Sequence, residues 1–143
     1  MKAITLWQPW ASFIAAGIKP YETRDWPPPR WLIGKRIAVH AAKKAVAADE
    51  REWARRRGCE SLPMGAIVCT AVLRGAYRIG VAERVPGSAP IHNFCADEFG
   101  DYSPGRWAWW LTDIQTVDPP VTARGMQGFW ECDVTDQCSD AAD

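Results

Sequence analysis

The sequence has 143 residues, 48% of them hydrophobic, which suits one domain with its own core. Seventeen Lys and Arg balance seventeen Asp and Glu, and the five cysteines are odd in number and form no C-x-x-C pair, so neither a disulfide framework nor a zinc site is predicted. The sequence has no run of about 18 apolar residues and no signal-peptide pattern, which predicts a cytoplasmic protein without a membrane partner.

The first half of the chain predicts three strands and two helices. In chain order these are a strand, a helix, two strands and a helix, over residues 2–6, 9–16, 21–26, 35–41 and 44–57. Pro9 is favoured in the first turn of a helix, and Gly17 is a usual stop signal. Trp10, Phe13 and Ile14 would form one apolar stripe on that helix, which we expect to pack on a sheet.

The second half is predicted to contain strands joined by a long loop. Residues 66–79 are rich in Ile, Val and Thr, with a kink expected at Gly75. Residues 85–102 indicate a loop with one helical turn near 93–99, and two further strands follow over 106–116 and 128–134. This pattern predicts an α+β domain over residues 1–134, built on a small mixed β-barrel with the helices at its side, and an acidic, disordered tail over 135–143.

Charge and tryptophan content both indicate a polyanionic or aromatic ligand. Residues 1–78 contain 14 Lys and Arg against 6 Asp and Glu, whereas residues 79–143 contain 3 against 11. Such asymmetry is a hint of a polyanion-binding surface, although a fold can interleave the two halves. Nine tryptophans are more than a small core easily buries, so we expect several to line a groove. Core packing is the alternative for each of them.

The densest group of charged side chains follows the first predicted helix. Lys19, Glu22 and Arg24 lie within six residues in an otherwise apolar neighbourhood. If residues 21–26 are extended, Glu22, Arg24 and Trp26 share one face of the strand. The trio could tune a general base or clamp a phosphate. The alternative is a structural ion-pair network that pins the helix to the sheet.

Several motifs occur in the order found in a known family. The first lie in the segments TLWQPWASFIAAGIKPYETRDW and RIAVHAAK, which contain Q-P-[WY], then G-x-K-x-x-E-x-R, then a strand ending in H-x-A. Later segments supply a G-x-[IV]-x-x strand at 65–72, R-[WY]-[AV]-[WF] at 106–109 and a closing G-x-[FLW] at 127–130. By these motifs the chain resembles the ASCH family over most of residues 3–131.

The resemblance implies a PUA-like pseudobarrel with a cleft between the barrel and the first helix. In the family, the Lys, Glu and Arg of the motif are thought to meet a nucleic acid or a nucleotide there. On this chain those residues are Lys19, Glu22 and Arg24, and His40 and Lys43 would stand nearby at the end of the next strand. The expected partner is RNA, a nucleotide or a nucleoside, and neither a cofactor nor a metal is predicted.

Tryptophans could form the walls of this cleft, because a base stacks on an aromatic side chain. Trp107 and Trp109 are two residues apart in their predicted strand, so their side chains share one face. Trp7 and Trp10 could form the opposite wall of the cleft. Core packing is favoured for Trp109. The predicted ligand-binding set is Trp7, Gln8, Trp10, Arg24, Trp26, Lys43 and Trp107.

Three functions are compatible with this cleft. The first is a binding module for RNA or a modified nucleoside. The second is a metal-free ribonuclease in which Lys19 or His40 activates a 2′-hydroxyl, Glu22 orients and Arg24 stabilises the phosphorane. The third is an amidohydrolase in which Lys19 and Glu22 activate water against an acylated nucleoside. The predicted catalytic residues are therefore Lys19, Glu22 and His40.

One position departs from the family pattern, and a second bears on the mechanism of one group of its members. Pro20 stands where the family most often has Thr, which removes a hydroxyl and an N–H. Small bacterial members that resemble amidohydrolases for acetylated cytidine use a Lys-x-x-Thr pair, but here the third residue after Lys19 is Glu22. A mechanism with a Thr nucleophile therefore does not carry over to this chain by its motif.

Overall fold

A computed structural model describes residues 1–92 and 94–134. Within them one mixed sheet has the strand order β2-β5-β4-β3-β1-β6. Strands β1 and β3 are parallel, and the other neighbours are antiparallel. The strands are β1 (Lys2–Leu6), β2 (Tyr21–Arg24), β3 (Arg36–Ala41), β4 (Ala66–Arg78), β5 (Trp107–Thr122) and β6 (Trp130–Glu131), and the helices are α1 (Trp10–Ala15) and α2 (Ala48–Arg56).

The sheet curls back on itself, although no strand pairing in the described ranges closes it. Three strands separate β2 from β1 in the sheet order. Nevertheless, Arg24 Nη2 at the end of β2 donates a hydrogen bond of 3.1 Å to the Thr5 carbonyl oxygen on β1. The α+β prediction with a small mixed barrel is confirmed, with the barrel open between these two strands.

The two long strands bend where their register shifts. Strands β4 and β5 lose register at three points, one of them between Leu73 and Gly75, and such irregularities increase strand bending. A side chain at Gly75 would collide with Tyr77 and Ser88, so only glycine fits there. The kink expected from the sequence is therefore present, and it has a packing reason.

The apolar stripe on α1 contributes side chains to two hydrophobic clusters. Ile14 is buried in the main core under the sheet. Phe13 is buried instead with Ala54 in a second cluster beneath α2, and Trp10 touches both clusters. The expectation that all three side chains pack on the sheet is therefore only partly met, because α2 covers α1 from the other side.

The ends of two elements, α2 and β5, differ from those predicted from the sequence. Helix α2 begins at Ala48 rather than at residue 44, and its first turn is capped by Glu50, whose Oε1 accepts a hydrogen bond from the Ala47 amide. Strand β5 continues to Thr122 because β4 pairs with it again at Val121 and Thr122, beyond a shift of register after Thr116. It tolerates Pro119 because residues 117–120 lie at this shift of register without a partner on β4, and because β2 pairs only with residues 107–110.

The remaining predicted elements are shorter or absent. Strand β6 covers two residues rather than 128–134, and residues 94–99 contain no helical turn. Asn93 and the predicted tail over 135–143 lie outside the described residues. None of the helices in the described ranges has the length and apolarity needed to cross a membrane.

Candidate functional site

A glycine turn places the motif lysine inside the fold. Gly17 has a φ of 78°, in the left-handed region that ends helices, and its amide bonds to Ile14. The carbonyl oxygen of Phe13 then accepts hydrogen bonds from the amides of both Ile18 and Lys19. The chain therefore turns sharply after α1, and the Lys19 side chain is only 1% exposed.

Lys19, Glu22 and Arg24 form one buried ion-pair network. Lys19 Nζ lies 3.2 Å from Glu22 Oε1 and also donates to the Tyr21 carbonyl oxygen. Arg24 Nε lies 3.1 Å from Glu22 Oε2. The backbone amide of Thr23 gives the same carboxylate a further hydrogen bond of 3.2 Å. Glu22 is therefore satisfied on both oxygens, as a buried carboxylate must be.

Arg24 extends from this network to the surface. Its Nη2 reaches the Thr5 carbonyl oxygen, and its guanidinium carbon lies 5.9 Å and 5.8 Å from the ring centroids of Trp26 and Trp109. The remaining nitrogen, Nη1, makes no hydrogen bond within the described part of the chain. The side chain is 22% exposed and is therefore partly accessible to a ligand.

A cavity of about 1040 Å³, called the first cavity below, lies on one side of Arg24. Its described lining carries the cations Arg24, Lys43 and Arg124 and no acidic side chain. Two indoles, those of Trp7 and Trp26, contribute aromatic surface. The rest of the lining is Thr5, His40, Ala42, Met64, Gly65 and residues 122, 123 and 125–128.

His40 connects β3 to the loop over the first cavity. Its Nε2 lies 2.6 Å from the Ala123 carbonyl oxygen, which can only accept, so Nε2 carries a proton. Nδ1 lies 3.3 Å from the Thr5 hydroxyl, which also accepts a bond of 3.0 Å from Trp130 Nε1. With a neutral ring, each group donates a hydrogen bond to the next. Trp130 donates to the Thr5 hydroxyl, Thr5 donates to His40 Nδ1, and His40 Nε2 donates to the Ala123 carbonyl oxygen.

The same loop depends on a glycine. A Cβ atom at Gly125 would lie 2.7 Å from the His40 ring and 2.7 Å from the Thr5 hydroxyl oxygen. No real side chain fits at such a distance, so the backbone of residue 125 rests directly on these two groups. Residues 123–128 are held against the cavity by this contact and by the His40 bond.

A second cavity of about 700 Å³ lies on the other side of Arg24. It shares Thr5, Trp7 and Arg24 with the first cavity. Its wall is formed largely by β2, residues 5–7 and residues 98–101, and each of α1 and α2 contributes one side chain. The further lining residues are Leu6, Trp10, Glu22, Thr23, Trp53, Glu98, Phe99, Gly100, Asp101 and Arg106.

The predicted catalytic side chains do not share a single cavity. His40 lines the first cavity and Glu22 lines the second, while Arg24 lines both. Lys19 lines neither of them. The reason is the buried network, which draws the lysine toward the Tyr21 carbonyl and away from the surface.

The predicted ligand-binding residues also divide into groups. Trp7, which is 57% exposed, lines both cavities, and the Lys44 ammonium lies 3.0 Å from its ring centroid. Trp26 and Lys43 line the first cavity and Trp10 lines the second. Two residues lie elsewhere. Gln8 is buried and bonds to Ser12 and the Pro63 carbonyl, and Trp107 is buried in the main core, 8% exposed.

Sequence reasoning missed the loop and two aromatic side chains. Arg124, Gly125 and Met126 lie in a stretch that the predicted strands leave unassigned, and Trp53 and Phe99 belong to elements without a motif. A signal for the first group was available, because an Arg beside a Gly between two strands is suited to a close backbone approach. In the part of the chain that the structure describes, no three His, Cys, Asp or Glu side chains could hold a metal ion.

Comparison with known proteins gives a family and a fold. The family model described as the ASCH domain matches residues 4–121. A crystal structure of an ASCH protein from Zymomonas mobilis is 17% identical, with a TM-score of 0.55 over 99% of this chain and 92% of that one. A mutant of that protein is 18% identical, with a TM-score of 0.55 over 99% and 94%. A search of curated proteins found no significant match.

The buried network makes a prediction about stability. Lys19→Met should lower the free energy of unfolding by about 3 kcal/mol, the lower end of the range for a broken buried ion pair, because Arg24 still pairs with Glu22. Lys2→Met is the matched control, since Lys2 pairs with Glu131 at the surface and should cost about 0–1 kcal/mol. Urea unfolding measures both. Equal losses in the two variants would contradict the structural role of the network.

The hydroxyl of Thr5 makes a second prediction. Thr5→Val keeps the shape but leaves the Trp130 N–H and the His40 Nδ1 without their partner, so the free energy of unfolding should fall by roughly 1–3 kcal/mol. Thr5→Ser retains the hydroxyl and should be more stable than the valine variant. Thermal and urea unfolding provide the comparison, and a valine variant as stable as the wild type would show that the hydrogen-bond chain is unimportant.

Proposed function

This chain belongs to the ASCH domain family, and from that membership we propose that its first cavity binds RNA or a nucleotide. The phosphate would lie against the cations of the lining, and the base would contact the exposed Trp7 or the neighbouring Trp26. Family members are generally thought to bind RNA, which supports an RNA or nucleotide ligand for this cavity.

One observation carries the proposal, namely a cavity that combines three cations and two indoles with no acidic side chain in its described lining. Arg24 offers an unused Nη1, and Arg donors match phosphate oxygens in geometry as well as in charge. Lys43 and Arg124 are exposed, so they can approach a phosphate without losing a structural partner. Single-stranded bases typically stack on aromatic side chains.

The ribonuclease and amidohydrolase alternatives receive less support from the geometry. The ribonuclease depends on Lys19 or His40 for proton transfer, and the amidohydrolase depends on Lys19 together with Glu22, whose two carboxylate oxygens are already paired. The Lys19 ammonium is buried in the ion-pair network, outside the first cavity. Both ring nitrogens of His40 already have partners on Thr5 and Ala123. Within the described residues neither side chain offers a free proton-transfer atom to a ligand, which favours binding over chemistry.

The phosphate contacts predict how binding responds to salt. Affinity for a single-stranded RNA should fall as salt rises, and Lys43→Ala or Arg124→Ala should each reduce the slope of log K against log salt by about 1. Lys35→Ala removes an exposed lysine that lines neither cavity and should leave the slope unchanged. Titrations at several salt concentrations measure these slopes. Identical slopes in all variants would mean that the phosphate lies elsewhere.

The aromatic contact is tested in the same titrations. Trp7→Ala should weaken RNA binding by roughly 1–3 kcal/mol without changing the salt slope, because an indole contributes stacking and no charge. Trp31→Ala is the control, since Trp31 is 56% exposed but lines neither cavity. Equal effects of the two variants would argue against a base in the first cavity.

The choice between binding and catalysis has its own test. Wild-type protein incubated with RNA or with acetylated cytidine should release no product, because the general base that each reaction needs is already engaged. Chromatography of the reaction mixtures detects cleaved RNA or free cytidine. Turnover that disappears in His40→Ala would instead establish a catalytic site and replace the binding proposal.

A further inference from the structure

The two cavities are adjacent compartments of one groove. They share Thr5, Trp7 and Arg24, so a ligand that fills the first cavity ends beside the entrance to the second. Volumes of about 1040 Å³ and 700 Å³ each fall near the range of about 300–1000 Å³ typical of a whole small-molecule site. A single mononucleotide would leave one compartment empty.

Aromatic side chains held in fixed positions line the second cavity. The Trp53 ring lies 4.9 Å from Phe13, 5.7 Å from Phe99 and 6.2 Å from Trp10, measured between ring centroids. Its Nε1 donates a hydrogen bond of 3.3 Å to Glu98. Because neighbours on several sides already fix this ring, a stacked ligand would lose little of its binding energy to ordering the wall.

The charges of the second cavity compensate one another. Glu22 is paired with Lys19 and Arg24, and Glu98 is paired with Arg57. Asp101 lies 3.5 Å from Arg106. The hydrogen bond from Arg57, and then that from Trp53, holds the pKa of Glu98 below its usual range, so this pair persists at neutral pH.

These compensated charges distinguish the second cavity from the first. Two cations of the first cavity, Lys43 and Arg124, have no acidic partner among the described residues and suit a phosphate, whereas the second cavity is nearly neutral and aromatic and suits an uncharged base. Arg24 lies between them with one free nitrogen. A phosphodiester that joins two nucleosides could therefore contact Arg24 while its two bases occupy the two compartments.

We propose that the second cavity is a nucleobase subsite and that the ligand of this protein is a single strand of at least two nucleotides, which passes over Trp7 and Arg24 from one cavity to the other. This inference rests on the proposed function of the first cavity. It assigns to α2 and to the segment around Phe99 a direct role in binding the neighbouring base.

A comparison of ligands tests the subsite without altering the protein. The probes are the four ribonucleoside 5′-monophosphates, the four matching 5′-phosphorylated dinucleotides, and dinucleotides that lack either the 5′ or the 3′ base. For at least one base, the dinucleotide should bind roughly 5-fold to 100-fold more tightly than the mononucleotide. Removal of either base should abolish that gain, because each cavity would lose its stacked ring.

A pair of tryptophan variants tests the location of the subsite. Trp53→Ala should remove most of the dinucleotide advantage and leave mononucleotide affinity unchanged, since Trp53 lines only the second cavity. Trp31→Ala, which removes an indole outside both cavities, should change neither affinity. If Trp53→Ala does not fold, the abasic dinucleotides still decide, because they require no variant.

The outcomes separate the inference from the function on which it rests. If a dinucleotide and both its abasic forms bind equally well, and mononucleotide binding still depends on Arg124, the second cavity is not a base subsite. The first cavity then remains a nucleotide site. If neither mononucleotides nor dinucleotides bind, the proposed function itself is wrong and the subsite with it. Tighter dinucleotide binding that needs both bases and Trp53 would establish the groove.

Discussion

The carboxylate of Glu22 is the constraint on which the rest of the structure depends. A buried carboxylate is costly unless it is paired and hydrogen-bonded, and this one recruits Lys19 and Arg24 as well as a backbone amide. Lys19 fixes the turn after α1. Arg24 extends across the open side of the sheet to the Thr5 carbonyl oxygen. An ion-pair network thus connects β2 to β1, where strand pairing does not.

This structural role limits what the motif residues can do chemically. A lysine that neutralises a buried carboxylate is not free to act as a base for a ligand, and it lines neither cavity. Of the three charged residues, Arg24 is the most exposed, and its Nη1 has no hydrogen-bond partner among the described residues. The side chains that approach a ligand therefore come mostly from elsewhere, namely Lys43 after β3 and Arg124 after β5.

The sequence was informative where one local pattern determines the structure. The order of strands and helices, the kink at Gly75 and the clustering of Lys19, Glu22 and Arg24 all follow from local rules. The location of the cavities did not, because alternation shows that Trp107 and Trp109 share a face but not which face a curled sheet encloses. Both proved to be buried. The contact of Gly125 with His40 likewise joins two distant segments, so a glycine between two strands can indicate a close backbone approach but not that His40 is the group approached.

The charge asymmetry of the chain shows why composition alone could not locate the site. The basic first half and the acidic second half are interleaved, since β4 lies beside β5 and Arg74 pairs with Asp113 across them. Arg57 is likewise neutralised by Glu98. Basic character is retained at the first cavity, which Lys43 from the first half and Arg124 from the second both line, with no acidic side chain in the described part of the lining. The positive charge of this cavity therefore depends on the fold placing no described acidic side chain beside these cations. It does not depend on the excess of cations in one half of the sequence.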